Sequence, residues 1–135
     1  MRIPGLVWGF RFGGAEGLRS LPDTAGLDAV LDPDEKIWLH LNGRDGRVPG
    51  LLSRFTELPE RTRASLIDRD EHLSILASGR VVCGVFPDFE RDFDAQGWSI
   101  GRFHFALTDR LLVTVRRHPL HSLEKARLEI GADRP

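Results

Sequence analysis

Apolar residues recur at every second position from Leu6 to Phe12, with Leu6, Trp8, Phe10 and Phe12 on one side and Gly9 and Arg11 on the other. That alternation is the signature of a half-buried strand. Gly13-Gly14 ends it, and the Gly-, Asp- and Pro-rich stretch to Pro33 carries one short helical segment around Leu27 to Leu31. Lys36 to Leu41 alternates again, with Ile37, Leu39 and Leu41 facing one way and Trp38 and His40 the other, which predicts a second strand. Past the turn signals Asn42-Gly43 and Asp45-Gly46, the residues Val48, Leu51, Leu52 and Phe55 follow the spacing of an amphipathic helix. Pro59 opens a further short helix through Ala64, Leu66 and Ile67, ending near Asp68, because a missing N–H costs nothing in the first turn.

The second half of the chain reads as two hairpins and a helix. Glu71 to Ala77 and Arg80 to Phe86 flank a tight turn at Ser78-Gly79. Pro87 to Gly97 is acidic and rich in turn residues, and is expected to be a solvated loop leading to a strand that begins at Trp98. In that strand the apolar phase changes between Trp98, Ile100 and Phe103, Phe105, Leu107, so a bulge or bend near Gly101 is expected. Asp109-Arg110 makes another turn, and Leu111, Val113 and Val115 continue in phase. Pro119 opens a last helix with Leu120, Leu123 and Ile130 near one stripe. Interleaved strands and helices with hairpins predict an α/β fold, a mixed and largely antiparallel sheet covered by helices, in a single domain over residues 1–135.

Composition narrows the function classes. A chain of 135 residues with 41% hydrophobic and 29% charged residues has the balance of one folded domain. Its net charge of -1 lacks the positive field that a nucleic-acid partner requires, so no nucleic acid is expected. Cys83 is the only cysteine, which fits a reducing cytoplasm and excludes an internal disulfide. No export signal and no apolar run of about 20 residues is visible, so the chain itself is expected to work in water.

Candidate chemistry is sparse. Asp88, Glu90, Asp92 and Asp94 place carboxylates at every second position, the start of a calcium-binding loop, but Phe93 stands where the sharp turn needs Gly. The series reads instead as a solvated acidic face that attracts cations diffusely. His118 and His121 lie three apart around the start of the last helix, close enough to share a metal. Zinc needs three or four ligands, so a site there requires further groups from elsewhere in the fold. His40 and His104 sit in strands among apolar residues and read as buried, satisfied histidines, and Cys83 reads as a small core residue. Arg116 and Arg117 read as charge that keeps a strand edge soluble. No nucleophile elbow, phosphate-binding loop or zinc-protease helix is present, so no catalytic site is expected and no cofactor is required.

Three segments together resemble a known family. They are Trp38-Leu39-His40-Leu41-Asn42, the run from Leu58-Pro59 to Leu66-Ile67, and Thr108-Asp109-Arg110-Leu111-Leu112-Val113-Thr114-Val115-Arg116-Arg117 with its continuation His118-Pro119-Leu120. Their order and element types resemble the N-terminal cytoplasmic domain of CorA-like metal-ion transporters, especially the zinc-transporting branch. The resemblance implies a sheet sandwiched between helices and a homopentamer conducting divalent cations, zinc or magnesium, at the inner (cell) membrane. It also implies pore helices beyond Pro135. The Gly-Met-Asn signature of that pore cannot occur here, since the only Met is Met1, so conduction would belong to residues outside this chain. The alternative expectation is a freestanding α/β protein-interaction module without transport activity.

Overall fold

The structure, a computed structural model, describes residues 2–13, 17–22, 24–70, 72–92 and 97–132. In chain order the elements are β1 (Leu6–Phe12), β2 (Arg19–Ser20), α1 (Leu27–Leu31), β3 (Lys36–Asn42), α2 (Val48–Leu52) and α3 (Glu60–Leu66). They continue with β4 (Ser74–Ser78), β5 (Val81–Asp92), β6 (Gly97–Leu107), β7 (Leu111–Arg116) and α4 (His121–Ala132). The strands form one sheet in the order β2-β1-β3-β7-β6-β5-β4. β3 and β7 pair in parallel, and the other pairs are antiparallel. The expected mixed, largely antiparallel sheet is therefore present.

The alternation in β3 sorts its side chains between two layers. Ile37, Leu39 and Leu41 join Leu111, Val113 and Val115 of the neighbouring β7, and this face is covered by apolar residues of α1, α2 and α3 and the loop after α2: Val30, Val48, Leu52, Phe55 and Leu66. On the opposite face Trp38 packs with Trp8 and Phe10 under Leu120 and Leu123 of the α4 segment. Because helices lie on both sides, β3 is buried from Ile37 to Leu41.

Arg110 locks the turn between β6 and β7 to the helical layer. Its Nε donates to Glu57 Oε2 at 2.6 Å, and its Nη1 donates to the carbonyls of Val30 and Asp32 at 2.9 and 3.0 Å. Those carbonyls belong to the end of α1, where helical acceptors lack partners and a cation is favoured.

Three expectations are corrected. Pro87 to Asp92 is not a loop: β5 runs through it and pairs with β6 without interruption from Val82–Leu107 to Asp92–Gly97. Pro87 is tolerated because β4 pairs only as far as Val85, leaving β5 an edge strand beyond that point. No bulge forms at Gly101, which keeps its register opposite Asp88. Ile100 simply stays in solvent, 65% exposed, opposite the likewise exposed Phe89. A Cβ at Gly101 would lie 2.5 Å from Glu90 Oε2 and 2.9 Å from Leu120, so those side chains would have to shift to admit it. Finally, Arg116 and Arg117 do not guard a sheet edge, because β7 lies between β3 and β6. Arg116 is half-buried, and burial lowers its pKa. The two-residue β2 was not expected; its two residues are too few to show a period.

Candidate functional site

The most organised polar groups cluster where α4 meets the sheet. The residues before α4 are Pro119 and Leu120, neither of which has a side-chain oxygen to cap the first N–H groups. Asp88, reaching across from β5, takes that role. Its carboxylate accepts from Ser122 N at 3.1 and 3.0 Å and from Leu123 N at 3.2 Å. The carboxylate is buried, and the helix N-terminus favours its negative charge. The solvated acidic face expected for this segment is therefore corrected at Asp88, which is an internal cap. Glu90 lies two residues on and is half-buried beside the bridge to Leu120. Asp92 ends β5, and Asp94 falls outside the described residues. A carboxylate on an alternating strand followed by a helix with no local cap was the available sequence signal.

Beneath α4 lies a second polar group, buried among aromatics. His40 Nδ1 is 2.7 Å from Thr114 Oγ1, and Trp38 Nε1 donates to the same hydroxyl at 3.1 Å. The hydroxyl accepts from Trp38 and shares its other hydrogen bond with His40 Nδ1. Trp8 covers the imidazole at 4.4 Å between ring centres. Burial, and then the positive charges of Arg116 and Arg127, push the His40 pKa down to about 3. His40 is thus neutral at neutral pH and serves packing; it is buried as expected, but only Nδ1 is hydrogen-bonded and Nε2 has no partner among the described residues. His104 is buried on the other face of the sheet and Cys83 lies in the core there.

His118 and His121 are both exposed, one in the connection from β7 and the other at the first position of α4. A small cavity of about 120 Å³ places His118 near Glu90, Arg102 and Arg117. Among the described residues no group of three or more His, Cys, Asp or Glu side chains is placed to hold a metal ion. No described helix is long and apolar enough to cross a membrane.

A further feature was not foreseen. Beyond α4 no described helix covers the same face of the sheet over β4, β5 and β6. Phe86 stacks on Phe105 at 5.0 Å and meets Phe103 edge-on at 6.0 Å, yet remains 39% exposed. Ile75 and Leu107 on this face, and Leu128 on α4, are also exposed. Their alternation announced strands, but nothing in it says which strand face a helix will reach.

A family model described as CorA-like Mg2+ transporter protein matches residues 34–135. No protein among the curated sequences matches the chain. Among solved structures, the cytoplasmic domain of ZntB from Vibrio parahaemolyticus RIMD 2210633 superposes with a TM-score of 0.79 at 12% identity, covering 97% of this chain and 51% of that one. The full-length CmaX protein gives a TM-score of 0.80 at 19% identity, over 97% of this chain and 40% of that one. The soluble domain of CorA from Methanocaldococcus jannaschii gives 0.63 at 11% identity, over 93% and 46%. The chain thus spans about half or less of the length of the structures it resembles.

Proposed function

Since the chain belongs to the CorA-like Mg2+ transporter family, we propose that it is the cytoplasmic N-terminal part of a divalent-cation transporter and acts in assembly, not in conduction. The family is one of transporters, and the fold is that of their cytoplasmic domains. The observation that carries the assembly role is the uncovered apolar face formed by Ile75, Phe86 and Leu107. Apolar surface of this kind marks a place where further protein packs. Its occupant under this reading is the remainder of the transporter, because the ZntB cytoplasmic domain alone is about twice as long as the part matched here. The transporter is a homo-oligomer, a pentamer by family resemblance, at the cytoplasmic face of the cell membrane.

Zinc or magnesium is the cargo. His118 and His121 give a two-ligand zinc contact near the start of α4, weaker than a closed site would be because two ligands leave the tetrahedral shell half empty. Zinc and magnesium titrations of the purified chain test this part. Zinc binding that disappears in a His118→Ala, His121→Ala variant supports it, and unchanged zinc binding removes it. For the assembly role, Phe86→Glu and Ile75→Glu introduced together into the complete gene product are expected to lower the yield of oligomer in detergent while the isolated chain still folds. An unchanged oligomer in the double variant would contradict the reading.

A further inference from the structure

Where β1 runs beyond the end of β2, a polar cavity of about 530 Å³ opens at the sheet margin. β2 pairs only with Phe10 and Arg11, so the flank of β1 from Leu6 to Gly9 has no strand beside it among the described residues. A register shift between Leu6 and Trp8 in the ladder to β3 lies in the same stretch. Leu21 N donates to Gly9 O at 2.8 Å and closes one end. The cavity falls within the range of about 300–1,000 Å³ that small-molecule sites occupy.

Three arginines from separate parts of the chain line it: Arg2 before β1, Arg47 before α2 and Arg127 on α4. Asp45 is the carboxylate among the described lining residues, and Arg47 already holds it through Nε at 3.0 Å and Nη2 at 2.7 Å. That hydrogen bonding keeps the Asp45 pKa down at about 2, so the pair is ionised and self-neutralising across the physiological range. Arg2 makes no ion pair among the described residues, and Arg127 approaches Glu124 only to 3.6 Å, beyond a good charge-assisted hydrogen bond. Arg2 is therefore unpaired among the described residues, and Arg127 is held only by a loose, partly exposed pair with Glu124, so both guanidinium groups stay open to an anion at one concave polar surface. Trp8 forms part of the wall, with its ring against His40, and the charge of Arg127 contributes to the lowered His40 pKa.

We propose that this cavity binds a small polyanion, a molecule carrying two or more phosphate or carboxylate groups, through Arg2 and Arg127. Guanidinium forks match both oxyanions and are always charged, and a concave site concentrates their field. The inference is independent of the assembly role, since the cavity lies beside β1 and β2, at the opposite end of the sheet from β4.

Pyrophosphate and citrate are the probes, titrated into the purified chain at low salt and followed by calorimetry and by tryptophan emission. Saturable binding of either one, with a Kd below about 1 mM and weakened by added salt, is expected. Response to pyrophosphate alone identifies phosphate as the preferred group, and response to citrate alone identifies carboxylate. Arg2→Gln and Arg127→Gln are each expected to weaken binding about tenfold, whereas Arg69→Gln, the same charge change at an exposed position away from the cavity, should leave it unchanged. Arg2 is exposed, so its variant should fold, and circular dichroism checks this. Absence of saturable binding by both probes, or equal weakening by Arg69→Gln and Arg2→Gln, overturns the proposal.

Discussion

The interior and one edge of the sheet use the same alternation of apolar residues and reach opposite fates. In β3, Ile37, Trp38, Leu39, His40 and Leu41 are all buried, whereas in β4 the five residues from Ser74 to Ser78 are all exposed, Ile75 by 63%. Alternation decides that a segment is a strand, but burial depends on which helices are in reach. α1, α2 and α3 supply one cover for β3, and α4 supplies the other. No described helix covers the α4-side face of β4 and the adjoining parts of β5 and β6, and its apolar residues exceed what this domain can bury by itself. Stability should therefore reside around β3 and partner contacts at the β4 edge.

The largest expected difference comes from removing core volume. Phe55 is completely buried against the α-helical side of the sheet. Phe55→Ala is expected to cost about 3–5 kcal/mol in urea unfolding, because transfer and cavity terms add. Next is the cap of α4. Asp88→Ala removes the acceptor for the backbone N–H groups of Ser122 and Leu123 and should cost about 2 kcal/mol, with Asp88→Asn recovering part of it. A smaller cost would mean that α4 is held by its apolar stripe alone.

A third effect appears with pH. The folded-state pKa of His40 is lowered from 6.5 to about 3, so the unfolded chain binds its proton more readily. The contribution of this residue to stability is complete above about pH 6.5 and is lost progressively as pH falls toward 3. Urea midpoints measured at pH 7 and pH 4.5 should fall more in the wild type than in His40→Gln. Equal slopes would contradict the buried neutral imidazole. The smallest effect is expected at the open end: Ile75→Ala should change the stability of the isolated chain by less than about 0.5 kcal/mol. A cost comparable to Phe55→Ala would erase the contrast between the interior and the β4 edge.

Much of the architecture was legible because period-two and helical spacings survive in the sequence, as in β1, β3, β7 and the residues of α2. The β5–β6 hairpin was read too short for a physical reason. Acidic residues and Pro87 are turn formers in isolation, yet here an edge position tolerates the proline and α4 needs the carboxylate of Asp88. The family was legible from the order of elements between Trp38 and Leu120. The apolar face at Phe86 and the arginine-lined cavity were not, since each joins residues far apart in the chain that only the fold brings together.

The direct test of the account is the accessibility of the open face in the cell. Ile75→Cys is to be labelled with a maleimide in the isolated chain and in the complete gene product within native membranes; the buried Cys83 gives little background. Rapid labelling of the isolated chain and strong protection in the membrane-bound protein is the predicted result. Equal labelling in both would contradict the claim that this face assembles with the rest of a transporter.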